Sequence, residues 1–197
     1  MTIISLKTGT DPELIRVGLS DGSLFSLRTS YLENRTNLDE NSEISAASAG
    51  DMRFAASCYR AEKAALNLIA RAEQCAFGLA AKLEKRGHDQ VCIREVMARL
   101  EGLGIVDDRR FAERWLGQRL SRSADTPLGL KAKLCRRGIA PRTAGEALKS
   151  CLSPETEAKL LERYLRKKTR SPASKTRYGL YQGGFSPAVL ALYFQKK

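Results

Sequence analysis

The residues of this chain whose types could do chemistry are five dispersed cysteines, one histidine and a pair of adjacent aspartates. The cysteines are Cys58, Cys75, Cys92, Cys135 and Cys151. They form no CxxC pair and have only His88 to join them, so we do not expect a zinc site. Scattered cysteines on predicted helices indicate small core residues in a reducing compartment. The amino terminus lacks an apolar signal core and no stretch approaches a membrane span, so we expect a cytoplasmic protein.

The adjacent carboxylates of Asp107 and Asp108 could hold a metal or share a proton. Adjacent side chains at a helix start point in different directions, so capping of the helix amino terminus is the favoured interpretation. His88 directly follows a glycine that ends a helix, which favours a loop residue that faces solvent. The sequence contains neither a Gly-rich phosphate loop ending in Lys-Ser/Thr nor an HExxH motif. We therefore expect no enzyme activity, no cofactor and no metal.

Cations are the side chains that this sequence supplies in excess. Lysine and arginine number 34 against 22 aspartates and glutamates. The first 50 residues carry a net charge of −3, so the rest carries +15. A basic surface attracts polyanions through counterion release, which makes nucleic acid, or an assembly that contains it, the leading class of partner. The alternative is a solvated basic surface without a partner.

The candidate binding residues are cations that recur near predicted helix ends or in short clusters. They are Arg71, Lys82, Arg86, Arg109, Arg110, Arg119, Arg122, Lys131, Lys133, Arg136, Arg137, Arg166, Lys167 and Lys168. At matching positions of stacked units they could form a continuous basic stripe, which suits a filamentous polyanion better than a small ligand. Phe111 and Trp115 lie four residues apart on one helix face and could stack on bases, but a place in the core is favoured.

A five-residue sequence motif that begins with leucine and ends with glycine occurs three times, and each copy is predicted to end a helix. The three copies define an internal repeat of about fifty residues. Its glycines are Gly87, Gly138 and Gly184, and glycine suits the left-handed residue that ends a helix. Pro141 and Pro187 each lie three residues after their glycine. A unit of this length is too long for two helices and about right for three, so the sequence predicts tandem three-helix repeats.

The three predicted repeats cover residues 51–106, 107–152 and 153–197. In the first, apolar residues recur at spacings of three and four from Phe54 to Ala72, as in a helix that faces a core. The second begins at the Asp107 cap, and Thr126 followed by Pro127 starts its second helix. The same start signal occurs in the third repeat at Ser153-Pro154, Ser171-Pro172 and Ser186-Pro187.

Residues 1–33 are predicted to form a small antiparallel sheet that precedes the repeats. Strand-like apolar runs occupy 3–6, 14–19 and 24–27, and residues 20–23 supply a hairpin turn. Residues 34–50 are polar, without a long apolar run, which predicts a mobile linker. The predicted fold class is mainly α, with tandem three-helix repeats forming an elongated, curved body and a small N-terminal antiparallel β element.

Four short motifs follow one another in order within the first two repeats. They are ALNLIAR at 65–71, KLEKRG at 82–87, GIVDDRRFA at 104–112 and RGI at 137–139. The third is the most specific, because it combines Gly104, Asp107, Asp108 and Phe111 at fixed spacing. Together these motifs resemble the RecX family of recombination regulators.

The resemblance implies a function that composition alone does not. The family is known for binding the RecA recombinase in the groove of its filament on single-stranded DNA, and for restraining ATP hydrolysis and strand exchange. We therefore expect a non-enzymatic and monomeric modulator of the RecA filament, active in DNA recombination, DNA repair and the SOS response. Single- or double-stranded DNA is a possible direct contact, and no membrane association is expected.

Two other function classes stay open at this point. One is a DNA-binding module of helix-turn-helix-like repeats without a recombinase partner. The other is an adaptor that binds another protein through an apolar concave surface.

The chain also departs from the family pattern. Cys75 to Gly78 replace a common Ser-x-x-Glu capping box, which predicts a weaker helix start. Gly129 and Lys133 stand where the family often has Arg and Glu, which changes possible partner contacts.

Overall fold

The computed structural model describes residues 1–32, 38–167, 172 and 175–195. The chain divides into two compact units, Met1–Val106 and Asp107–Lys197. As the sequence predicts, the described residues are mainly helical, with a three-stranded antiparallel sheet at the amino terminus. None of the helices in these ranges combines the length and the apolar content that crossing a membrane requires.

The sheet of the first unit has the strand order β1-β2-β3. Its strands are β1 (Ile3–Thr8), β2 (Leu14–Leu19) and β3 (Leu24–Arg28). On the central strand, Ile15 and Val17 are buried while Arg16 between them is exposed, so one face of the sheet packs on the core. Gly22 has φ +83° in the β2–β3 turn and donates its N–H to the Leu19 carbonyl. The predicted strands and hairpin are confirmed.

Three helices complete the first unit. They are α1 (Ala46–Arg71), α2 (Ala76–Glu84) and α3 (Gln90–Gly102). The buried face of α1 consists mostly of small residues such as Ala55, Cys58 and Ala61, which allow the sheet and α3 to approach the helix backbone closely. α2 begins at the Cys75 cap without a side-chain cap hydrogen bond, as the loss of the capping box predicts.

The predicted linker over residues 34–50 is wrong in its second half. There the chain runs along β1: the Ile3 N–H donates to the Ser42 carbonyl at 3.1 Å, and the Asn41 N–H donates to the Ile3 carbonyl at 2.8 Å. α1 then begins at Ala46, because the Ser45 side chain caps it and Ala49 extends the buried face by a turn. Residues 33–37 lie outside the described residues.

Six helices form the described part of the second unit. They are α4 (Asp108–Leu120), α5 (Pro127–Cys135), α6 (Pro141–Cys151), α7 (Pro154–Arg166), α8 (Arg177–Gln182) and α9 (Pro187–Gln195). The predicted starts at Pro127, Pro154 and Pro187 are confirmed. Ser171 of the remaining start signal lies outside the described residues, and α8 begins after a Thr176 cap.

The three helix-ending glycines share one hydrogen-bonding pattern. Gly87, Gly138 and Gly184 have φ of +79°, +88° and +87°. In each repeat the next residue donates its N–H to the leucine carbonyl five residues earlier, at 3.2 to 3.3 Å: His88 to Leu83, Ile139 to Leu134 and Phe185 to Leu180. This is the Schellman arrangement, which satisfies carbonyls at the helix end. The predicted left-handed glycines are confirmed.

The third repeat departs from the other two on its last helix. Tyr193 and Phe194 occupy the positions that Val96 and Met97 fill in the first repeat and Ala147 and Leu148 fill in the second. Those four residues are buried, whereas Tyr193 is only partly buried and Phe194 is 38% exposed. α9 instead buries Val189 and Leu190 against α7 and α8, one turn nearer its start. The later turn of α9 therefore extends beyond the core of its repeat.

Candidate partner-binding site

The excess positive charge of the chain belongs to its second unit. Residues 107–197 contain 21 lysines and arginines against 8 aspartates and glutamates, a net charge of +13. Residues 1–106 contain 13 against 14, a net charge of −1. A surface that attracts polyanions by its overall charge therefore lies on the second unit.

A tryptophan and two arginines form the most distinctive cluster of this unit. Trp115 and Arg119 lie four residues apart on α4, and Arg137 follows the end of α5. The guanidinium carbons of Arg119 and Arg137 lie 5.4 Å and 4.9 Å from the centroid of the Trp115 ring. Both distances are within the range of cation–π attraction. We call these three residues the Trp–Arg cluster.

Phe111 and Trp115, for which a place in the core is favoured, lie at the margin of the buried face of α4. Both rings are only partly buried, and the fully buried residues of α4 are Ala112, Leu116 and Leu120. Helical geometry explains the difference, because positions 112, 116 and 120 lie on one face and positions 111, 115 and 119 lie beside it. Trp115 is thus partly exposed beside the buried face of α4, in contact with two guanidinium groups.

Other predicted cations of the second unit differ in how far their charge is compensated. Lys133 Nζ lies 2.5 Å from Asp125 Oδ2, and its backbone carbonyl accepts a hydrogen bond from Arg137. Arg109 Nε lies 3.1 Å from Glu113 Oε1, and this hydrogen bond is the main cause that raises the pKa of Arg109. Exposed side chains are those of Arg110, Arg119, Arg122, Arg136, Arg166 and Lys167.

The remaining predicted binding residues are placed as follows. Lys131 is partly buried, and its ammonium lies over Gly145 of α6. Lys168 lies outside the described residues. In the first unit Arg71, Lys82 and Arg86 are exposed, and Lys82 Nζ donates to Gln74 Oε1 at 2.6 Å. The structure brings Arg119 and Arg137 together over one ring.

Asp107 caps α4 as predicted. Its Oδ1 accepts hydrogen bonds from the backbone N–H groups of Arg109 at 2.8 Å and Arg110 at 3.0 Å, and Asp108 lies in the first turn. Within the described ranges, no three side chains of the histidine, cysteine, aspartate and glutamate types are grouped so that they could hold a metal ion.

Comparison with known proteins identifies the family. A family profile described as the second three-helix domain of RecX matches residues 107–148, the span of α4 to α6 that contains the Trp–Arg cluster. The regulatory protein RecX of Treponema pallidum is 34% identical over 144 residues, which are 72% of this chain and 87% of that protein. This chain belongs to the RecX family. The regulatory protein RecX of Chlorobaculum tepidum is 32% identical over 111 residues, 56% of this chain and 69% of that protein.

Solved structures show that the RecX fold extends over nearly the whole chain. A crystal structure of regulatory protein RecX matches with a TM-score of 0.70 and 20% identity, covering 96% of this chain and 97% of that one. The crystal structure of RecX from Lactobacillus salivarius matches with a TM-score of 0.56 and 23% identity, covering 71% and 96%.

An ion-pair network around the buried Glu62, which the sequence did not predict, fixes the sheet of this RecX-family member to its helices. Arg28 at the end of β3 lies 3.0 Å from Glu62 of α1, 2.9 Å from Asp11 and 3.0 Å from Glu13. Arg99 of α3 lies 2.7 Å from Glu13. The Glu62 side chain is only 4% exposed. The one feature of the sequence that could have indicated this network is a glutamate, Glu62, among the small residues of the buried face of α1.

His88 is partly buried rather than solvent-facing, because it occupies the position after the helix-ending glycine that Ile139 and Phe185 fill in the other repeats. Burial, followed by the positive charges of Arg60 and Arg86, holds the pKa of His88 below its usual 6.5. The folded protein thus binds this proton less readily than the unfolded chain. We expect stability to fall as the pH drops through about 6.5, until His88 is protonated in the folded state as well.

The single histidine of this RecX-family protein makes the expectation simple to test by NMR. Its ring signal should titrate with a midpoint below 6.5, followed from about pH 8 to about pH 5. The variant His88→Asn should lose the part of the pH-dependent destabilisation that falls in this window. A midpoint at or above 6.5 would contradict the predicted direction.

Proposed function

We propose that this protein regulates the RecA recombinase by binding its filament on single-stranded DNA and restraining ATP hydrolysis and strand exchange. The observation that carries the proposal is membership of the RecX family, with 34% identity over 144 residues to a regulatory protein RecX. The regulatory role follows from the family. The RecA filament as target, and inhibition as the direction, are the steps that need an experiment.

The charges and the fold of the second unit support this proposal. A filament on DNA is a polyanion with protein subunits along it, and a net charge of +13 on one unit favours association with it. Regulation requires no chemistry by the regulator. A protein that binds one state of a filament more tightly than another shifts the filament toward the favoured state.

The test is a titration of this protein into its cognate recombinase, with ATP hydrolysis on single-stranded DNA as the readout. We expect hydrolysis to decline at protein concentrations below those that bind bare DNA. In the variant Arg119→Gln/Arg136→Gln/Arg137→Gln, half-maximal inhibition should need at least about tenfold more protein, because arginines at an interface commonly carry much of its affinity.

The control is Arg94→Gln/Lys149→Gln/Lys159→Gln, which removes the same charge at three exposed positions outside the Trp–Arg cluster. It should inhibit nearly as well as the unmodified protein. If the wild-type protein binds the filament yet leaves hydrolysis unchanged, restraint of hydrolysis is not its function. If both triple variants lose inhibition equally, total charge and not the cluster determines binding.

A direct DNA-binding module is the second candidate, and the Trp–Arg cluster is the observation that favours it. A partly exposed indole flanked by guanidinium groups can stack on a base while the cations contact phosphates. The discriminating measurement is the affinity for bare DNA as a function of salt. A steep salt dependence, with an affinity close to that for the filament, would favour this candidate.

A further inference from the structure

A second basic site lies on the first unit, in a cleft between the sheet and α1. The cleft has a volume of about 710 Å³. Arg16 of β2 lines one side, and Arg53, Arg60 and Lys63 of α1 line the other. All four cations are exposed, and the partly buried Tyr59 also lines the cleft. None of these residues is among the binding residues that the sequence predicts.

The overall charge of the unit does not explain this concentration of cations. The first unit carries a net charge of −1, yet no aspartate or glutamate of the described chain lines the cleft. Asp21 in the β2–β3 turn interacts electrostatically with Arg53, but it lies outside the lining of the cleft. Other carboxylates of the unit, such as Glu62, pair with Arg28 and Arg99 instead.

The sheet itself places like charges side by side next to the cleft. Lys7 of β1 and Arg16 of β2 are directly opposite in the antiparallel register, so both side chains project from the same face. Like charges opposite each other destabilise a sheet, and Ser26 is the neutral partner of Arg16 on the other side. Such a local conflict is typical of a surface kept for binding rather than for stability.

The α1 cations form a line that suits a chain of linked anions. Arg53, Arg60 and Lys63 lie within ten residues of one helix, which corresponds to about 15 Å along its axis. Arg86 adds positive charge near Arg60. The charges of both arginines lower the pKa of His88, which lies in the α2–α3 connection. A single small anion would contact only part of this line, whereas a phosphodiester backbone can follow it.

We propose that this cleft binds single-stranded nucleic acid, with phosphates against Arg53, Arg60 and Lys63 and a base against the Tyr59 ring. A basic groove with an aromatic side chain is the common arrangement for binding single strands without sequence preference. The site is separate from the Trp–Arg cluster. It goes beyond the proposed regulation of a recombinase and does not depend on it, because its test contains no recombinase.

The test measures binding of a fluorescent single-stranded oligothymidylate of about fifteen nucleotides to the full chain, at several salt concentrations. The background is Arg119→Gln/Arg137→Gln, so that the other basic site does not dominate. Adding Arg53→Gln/Arg60→Gln/Lys63→Gln should weaken binding about ten- to hundredfold at about 0.1 M salt. It should also flatten the slope of log affinity against log salt by about 2, since each phosphate contact on a single strand contributes about 0.7.

The matched control adds Arg94→Gln/Lys149→Gln/Lys159→Gln to the same background and should change affinity much less. Circular dichroism establishes that each variant is folded. Equal weakening by both triple sets, or no weakening by the cleft set, would overturn the proposal. These outcomes concern DNA alone, so they leave the proposed inhibition of ATP hydrolysis untouched.

Tyr59→Leu separates nucleic acid from other polyanions, since it removes the ring but keeps an apolar side chain. It should weaken binding of the oligonucleotide about fivefold or more, because stacking of a base on the ring is lost. It should leave binding of inorganic polyphosphate and of polyglutamate unchanged. If polyglutamate binds the cleft more tightly than the oligonucleotide does, the occupant is an acidic polypeptide and the proposal is wrong.

Discussion

Arg28→Met is expected to destabilise the first unit by about 3 kcal/mol. Arg28 is the closest cationic partner of Glu62, and these side chains are only 13% and 4% exposed. Removing the guanidinium leaves the more distant Arg99 Nε, at 3.8 Å, as a cationic partner of the buried Glu62 carboxylate. Weakening the compensation of a buried charge in this way costs more than the loss of an exposed ion pair. Urea unfolding followed by circular dichroism, together with hydrogen exchange of α1 amides, measures the loss.

Two further variants separate the buried charge from side-chain size. Arg94→Met makes the same substitution at an exposed position of α3 and should leave the unfolding midpoint nearly unchanged. Arg28→Met/Glu62→Met removes both charges and should recover part of the lost stability, because an apolar pair can replace a buried ion pair. A double variant that is less stable than Arg28→Met would disprove this account.

Gly184→Ala is expected to destabilise the second unit by about 2 to 4 kcal/mol, through left-handed strain and a close contact. Gly184 has φ +87°, and a Cβ there would lie 2.8 Å from Leu128 Cγ and 3.3 Å from Leu128 N. The Leu128 N–H donates to the Gly183 carbonyl at 3.0 Å, so moving Leu128 would also disturb this hydrogen bond. Urea unfolding followed by Trp115 fluorescence reports on this unit.

Two glycines elsewhere serve as comparisons. Gly87 has φ +79°, but a Cβ at this position would have no neighbour within 4 Å, so Gly87→Ala should cost only about 1 to 2 kcal/mol from backbone strain. Gly145 lies inside α6 with an ordinary helical backbone, so Gly145→Ala should stabilise by about 0.5 to 1 kcal/mol. Equal losses at Gly184 and Gly87 would show that contact with Leu128 has no effect.

The sequence predicted the features that depend on neighbours along the chain. Helix starts at Thr126-Pro127 and Ser153-Pro154, and the left-handed glycine at Gly87, follow from backbone requirements within one or two turns. Strand alternation in the sheet is equally local. The family motifs were recognisable for the same reason, since most of them mark helix ends.

Features that depend on distant partners could not be predicted in this way. Glu62 and Arg28 are 34 residues apart, and nothing near either residue specifies the other. The cations of the cleft come from β2 and α1, and only the packing of the sheet on the helix brings Arg16 and Arg53 to one site. The side of α4 that faces the core also depends on packing, which is why the sequence does not separate Trp115 from the buried face of Ala112, Leu116 and Leu120.

The segment around Glu40 to Ser42, which runs alongside β1, affects whether the protein can associate with itself. An exposed edge strand can pair with the edge of another molecule and begin aggregation. Along β1, Ile3 N–H donates to the Ser42 carbonyl, and Leu6 N–H donates to Glu40 Oε1. These donors are already occupied within the molecule, so a second copy cannot extend the sheet across them. The segment that resembles a linker in sequence thus protects this edge against intermolecular strand pairing.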